Sequence, residues 1–220
     1  MGVLKSISNM KEPRVQRNLE LASKIKRINR LFTVWVMVVF LMCQNPTRGF
    51  DEEDLRDLRS SNICFGCDLS GADLREVQLV KANLAESNLG KAQFAGANLS
   101  FAILKHTDLR NADFWGATLF NTDLRYTDSR NSNFSFANLR QSDLSFSNFR
   151  GAEMGAANLR GARLFQVDLQ GANLHRVNLA DTDLRKADLR NANLKDANFT
   201  GAIRCNTQMP WGEDNSGCAE

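Results

Sequence analysis

The sequence predicts an all-β solenoid, a chain wound into stacked coils with a short cap at each end. Three observations carry this. From Leu69 to Phe199 every fifth residue is Leu, Phe or Met, with Ser129 the single exception, giving 27 consecutive units in one register. Two residues before each large residue stands a small or short one, as at Ala72, Ala82, Ser87, Thr107 and Ala197. The gap between one large residue and the next small one holds turn formers: Gly71, Gly96, Gly116, Gly151, Gly161, Gly171 and Gly201, with Asn111, Asn121, Asn131 and Asn191 at equivalent positions.

Residues 1–49 read as a basic extension followed by a signal peptide or membrane anchor. They carry nine Lys or Arg against two Glu. The run from Leu31 to Cys43 is uncharged and about as long as a signal-peptide core. It is short beside the roughly 17–25 apolar residues of a membrane span. Lys24, Lys26, Arg27 and Arg30 precede it and should stay on the cytoplasmic side, which places the remainder across the membrane. Small residues at Thr47 and Gly49 permit cleavage before Phe50. If uncleaved, segment 31–43 is the chain's one expected contact with membrane.

Residues 50–66 should form an N-terminal cap. Leu55 and Leu58 stand three apart among charges, the pattern of a short amphipathic helix laid over the first coil. Residues 67–202 are the repeat. Within a unit the small and large residues are two apart, so in extended chain both point inward. From a large residue to the next small one is three steps, where a straight strand would reverse the side chain and the chain must bend instead. A helix is excluded, since a five-residue period drifts about 140° per unit at 3.6 residues per turn. Alternating large and small inward residues let stacked coils interdigitate. Ser129 breaks this rule, and its hydroxyl requires a partner or a water. Residues 203–220 should close the far end.

The recurring Ala-Asp/Asn-Leu-x-x, as in Ala72-Asp73-Leu74-Arg75-Glu76 and Ala192-Asn193-Leu194-Lys195-Asp196, resembles the pentapeptide-repeat family across residues 67–201. The resemblance implies four units per coil and a right-handed quadrilateral parallel β-helix. At about 4.8 Å per coil its length is roughly 32 Å. Cys64-Phe65-Gly66-Cys67 and the tail from Cys205 to Cys218 resemble exported cyanobacterial and plastid-lumen members. The tail departs from them at Trp211-Gly212-Glu213, where Asp-Gly is common. The resemblance implies export to a periplasm or thylakoid lumen.

Five cysteines are present. Cys43 would leave with the signal peptide. Cys64, Cys67, Cys205 and Cys218 form two local pairs, which suits an oxidising compartment. The Cys64–Cys67 pair reads as a disulfide, a reduced pair, or a redox or metal site. Neither pair has a nearby His to complete a tetrahedral metal site. The expected disulfides are Cys64–Cys67 and Cys205–Cys218.

The charge balance bears on function. Residues 67–201 hold 16 basic and 15 acidic side chains, which gives no electrostatic grip on nucleic acid. It also disfavours the DNA mimicry by which some pentapeptide-repeat proteins inhibit type II topoisomerases. Counting in twenties places Arg110, Arg130, Arg150 and Arg190 in one column beside Asp108, Asp128, Asp168 and Asp188. His106 and His175 fall on different faces, no phosphate loop is visible, and no catalytic residues, cofactor or metal are expected. The leading expectation is a non-catalytic scaffold or interaction module for an unidentified protein. DNA mimicry and thiol-redox chemistry through Cys64 and Cys67 are the alternatives. The candidate interaction surface is the set of outward rings: Phe101, Trp115, Phe120, Tyr126, Phe136, Phe146 and Phe165. Tyr126 and Phe146 should stack in a column with His106, and Phe101 should approach Phe120.

Overall fold

The computed structural model describes residues 49–218. The expectations for segment 31–43, for Cys43 and for cleavage before Phe50 rest on residues outside that range. Among the described residues no helix is long and apolar enough to cross a membrane.

Helix α1, Glu52–Ser61, opens the described chain. The Asp51 carboxylate accepts the Glu53 N–H at 2.8 Å, and Asn62, in the left-handed region, ends the helix by donating its N–H to the Leu58 carbonyl. Leu55 and Leu58 are buried. The Asp51 N–H reaches the Asp68 carbonyl at 2.9 Å, and the Asp54 carboxylate accepts the Asp68 N–H at 2.8 Å. The helix thus satisfies part of the first coil's open edge while covering its core.

The repeat winds by single-residue parallel pairings, each joining residues twenty apart, from Ile63–Asn83 to Asp188–Gln208. Four five-residue units therefore complete one coil. The winding begins at Ile63, earlier than the expected 67. An inward residue donates to the coil that follows it, as Leu69 N–H does to the Asn88 carbonyl at 2.8 Å. The outward residue before it donates to the preceding coil, as Asn88 N–H does to Cys67 at 2.8 Å. Most bends are closed locally, as Ala72 N–H to the Leu69 carbonyl at 3.0 Å, whereas the Thr127 N–H reaches Ser147 Oγ in the next coil at 3.0 Å.

Every fifth residue from Gly66 to Asn206 adopts φ between 52° and 72°. This left-handed conformation costs a non-glycine residue roughly 1–2 kcal/mol, which explains the glycines and asparagines there. Gly151 is further constrained: a Cβ on it would lie 2.7 Å from Asn131 Oδ1 in the coil before.

The inward Leu and Phe residues are buried along the repeat, from Leu69 to Leu189. Phe94, Phe114 and Phe134 stack in one column, with centroids 4.7 and 4.6 Å apart and planes within 7° of parallel. Phe149 leans on Phe134 at 5.4 Å. Where the small inward position carries a hydroxyl, it bonds to a carbonyl at a bend. Thr122 donates to Leu99 O at 2.8 Å, Thr182 to Leu179 O at 2.7 Å and Thr207 to Leu184 O at 2.8 Å. Ser129 is fully buried, and its partner is the neighbouring Thr127 Oγ1 at 3.3 Å.

The last coil is closed less completely. Strand β1, Thr207–Met209, pairs antiparallel with β2, Gly212–Asp214. Leu194, Ala197, Phe199 and Ala202 remain only partly buried. Arg204 occupies a register position that holds Leu in the two preceding coils. Its guanidinium lies 5.6 Å from the Phe199 ring and 3.0 Å from Asp214. Both expected disulfides are formed, Cys64–Cys67 and Cys205–Cys218. The first lies at the base of the coil stack, and the second ties the hairpin's outgoing chain to the last coil.

Candidate interaction surface

The outward Asp and Asn residues are structural before they are anything else. Their side-chain Oδ1 caps the N–H two residues on, a group the coil ladder leaves free. Asp108 caps Arg110 at 3.0 Å, Asn133 caps Ser135 at 3.0 Å, and Asn198 caps Thr200 at 3.0 Å. Where Arg follows, its guanidinium folds back onto the same carboxylate. Such pairs join Asp73 to Arg75, Asp108 to Arg110, Asp123 to Arg125, Asp128 to Arg130, Asp183 to Arg185 and Asp188 to Arg190, at 2.5–2.7 Å.

Hydrogen bonds from these arginines hold Asp108, Asp128, Asp183 and Asp188 below the usual carboxylate range. Asp73 is held down to about 2 by the same contact with Arg75. At Asp123 burial opposes ionisation, yet the hydrogen bonds from Arg125 still lower it. The Arg110 and Arg130 guanidiniums also face the neighbouring coil's acids, Arg110 reaching Asp128 at 3.8 Å. The acidic column is therefore matched, charge for charge, by the basic one beside it.

The seven outward rings occupy three different corners of the coil. Phe101 meets Phe120 edge to face, centroids 5.5 Å apart. On another corner Trp115 meets Phe136 at 5.9 Å. The third corner carries a ladder. His106 stacks on Tyr126 and Tyr126 on Phe146, each at 4.9 Å, and Phe146 then meets Phe165 edge-on at 5.5 Å. Both column relations expected from the sequence are present. The split into three groups follows from the twenty-residue coil: residues 101 and 120, 115 and 136, and 106 to 165 fall at different points of it.

Cations border the ladder. Lys105 Nζ lies 6.0 Å from the Tyr126 ring, and Lys186 Nζ lies 5.5 Å from Phe165. A groove of about 260 Å³, lined by Asp123, Arg125, Asp143 and Arg163 among others, lies alongside. Sequence reasoning missed these cations; counting in twenties from Tyr126 and Phe165 finds Lys105 and Lys186 on the same corner. His175 is turned to the Lys195 carbonyl at 3.0 Å, away from the His106 corner. Cys64, buried at 2% exposure, and Cys67 are bonded to each other. Among the described residues no cluster of His, Cys, Asp and Glu is arranged to hold a metal ion.

The sequence profile of the pentapeptide repeats matches in eight copies, over residues 63–100, 92–128, 130–166 and 168–203. Among solved structures, QnrB1, a plasmid-mediated fluoroquinolone resistance protein, is 21% identical, with 70% of this chain and 80% of that one covered and a TM-score of 0.57. HetL, involved in heterocyst differentiation regulation in the cyanobacterium Nostoc sp. strain PCC 7120, is 24% identical over 74% of this chain and 98% of its own, with a TM-score of 0.32. A pentapeptide repeat protein of the Arabidopsis thaliana thylakoid lumen is 27% identical over 56% and 70%, also at 0.32. The likeness to QnrB1 is one of fold. Among curated proteins none is significantly similar in sequence.

Proposed function

Because the chain belongs to the pentapeptide repeat family, whose members fold as right-handed β-helices, we propose that it is a four-sided β-helix serving as a non-catalytic, exported interaction module. The observation that carries the reading is the ladder of His106, Tyr126, Phe146 and Phe165. Tyr126 and Phe146 stand at left-handed positions, φ 60° and 64°, where glycine would be the least costly residue. Both are more than two-fifths exposed. The fold asks for neither ring, and exposed aromatic groups are enriched at the cores of interfaces. Lys105 and Lys186 beside the rings favour a protein partner that brings acidic side chains.

Export is supported by the basic residues ahead of the apolar run 31–43 and by two disulfides, which persist in oxidising compartments. A periplasm or a thylakoid lumen fits. DNA mimicry would need an unopposed acidic surface, and here the aspartates lie under arginines. Thiol chemistry at Cys64 would need an accessible thiolate, whereas its sulfur is buried.

The test is affinity capture on the exported protein, from membrane and lumenal or periplasmic fractions, with a Tyr126→Ser, Phe146→Ser variant beside it. The reading expects a specific partner that the folded variant no longer captures. A variant that keeps its partner, or a partner bound only by the reduced protein, would refute it.

A further inference from the structure

Each coil has four outward positions, and where Asp or Asn stands there one side-chain oxygen caps the bend. Asp and Asn supply it equally well, as Asp108 and Asn133 do at the same 3.0 Å. Charge at these positions is therefore not dictated by the bend. Three of the four stacks contain carboxylates: Asp123, Asp143 and Asp183 in one, Asp108 to Asp188 in the next, and Asp73, Asp113 and Glu153 in the third. The fourth reads Gln78, Asn98, Thr118, Asn138, Asn158, Asn178, Asn198. It has no carboxylate and no cation over seven successive coils.

Using the oxygen for the bend leaves the amide NH2 facing outward. At one end Asn98 donates to Gln78 at 3.1 Å, and at the other Asn198 donates to Asn178 at 3.3 Å. Asn138 and Asn158 cap Arg140 and Arg160 through Oδ1, and Asn178 caps Ala180. Among the described residues the NH2 groups of all three, and the Thr118 hydroxyl, have no hydrogen-bond partner. The corners bounding this stack carry the remaining rings, Trp115 with Phe136 on one and Phe101 with Phe120 on the other. Phe136, Trp115 and Phe101 are 61%, 53% and 44% exposed. A Cβ added at Gly116 would meet nothing within 4 Å, so the surface beside Trp115 is open. Between Ala95 and Asn138 this side and its corners hold no charge, and Arg140 is the first.

We propose that this side binds a neutral polysaccharide lying along the stack. A row of NH2 donors repeated at the coil spacing, about 4.8 Å, matches a polymer of hydroxyl acceptors. The rings at the rim match the C–H faces of its sugars. An apolar peptide would strand the same donors in a dry contact. Within the stack an anionic polymer would find no cation; of the arginines bordering Asn138 and Asn158, Arg160 is paired with Asp181 at 3.0 Å, which leaves Arg140. The inference does not rest on the His106–Phe165 ladder, which lies on another corner.

Affinity electrophoresis of the full chain through gels containing neutral glucans, mannans, galactans and xylans, with alginate and polygalacturonate as anionic controls, tests it. Retardation by at least one neutral polymer and by neither anionic one is expected. Asn138→Asp with Asn158→Asp keeps both caps and sets each new carboxylate two residues before an arginine, the arrangement of Asp108 and Arg110. This variant should keep its unfolding midpoint and bind about tenfold more weakly; Trp115→Ala should also weaken binding, and Tyr126→Ser should not. No retardation by any neutral polymer, or undiminished binding by the double Asp variant, would overturn the proposal. So would self-association by sedimentation that the double Asp variant abolishes, since that would assign the side to a second copy.

Discussion

Tyr126 lies flat against Phe146, centroids 4.9 Å apart and planes 3° from parallel, although both residues are held in a backbone conformation that disfavours side chains. Stacked pairs contribute about 0.5–1.5 kcal/mol each, and Tyr126 makes two, to His106 and Phe146. The left-handed φ costs roughly 1–2 kcal/mol. Tyr126→Gly removes both terms and should leave stability within about 1 kcal/mol of the parent. Tyr126→Ser keeps the backbone cost and loses the stacking, so it should be the less stable of the two in urea titrations.

The Asp–Arg pairs set an acid limit. Asp108, Asp128, Asp183 and Asp188 titrate lower in the folded chain than in the unfolded one, first through hydrogen bonds from their arginines. Their contribution is complete above the unfolded value, near 3.9, and is lost as pH falls through the folded values. Thermal midpoints should be level from neutrality to about pH 5 and decline below about pH 4. Arg110→Gln with Arg130→Gln should shallow that decline. The groups are solvent-screened, so the change at neutral pH should be small.

Ser129 donates to Thr127 Oγ1, whose own proton goes to the Leu124 carbonyl at 2.9 Å. Ser129→Ala strands no donor, and a single long hydrogen bond is lost. Chemical denaturation should find it within about 1 kcal/mol of the parent.

Cys205 and Cys218 are 13 residues apart. In the chain-entropy model a loop of this length contributes about 3 kcal/mol, here to the terminal hairpin. Cys218→Ser should speed amide exchange across residues 203–218 while coils near Phe114 and Phe134 stay protected, because a solenoid opens locally from its ends.

The five-residue period made the core legible, since the positions from Leu69 to Leu189 follow from counting alone. Both column relations among the rings were legible by counting in twenties. The same count separates Phe101 and Phe120 from the Tyr126 corner; the contacts of Trp115 with Phe136 and of Phe146 with Phe165 join residues 21 and 19 apart, which strict counting in twenties passes over. The capping role of Asp and Asn was not legible. Alternation tells which way a side chain points, but not that its oxygen meets the N–H two residues on. Arg204 was also hidden, because a cation at an inward position makes sense only once Phe199 and Asp214 are seen around it.

Pairing at a fixed interval of twenty residues has an evolutionary consequence. Gain or loss of one unit leaves the core in register, because every unit offers the same inward pair. It nevertheless carries all later residues a quarter of a coil around, so Phe146 would leave Tyr126 and Asn158 would leave Asn138. Duplication of four units instead lengthens every column and disturbs none. Surface specificity in such a chain can be reshuffled by very short insertions that its stability hardly registers, and it can be inherited only in whole coils.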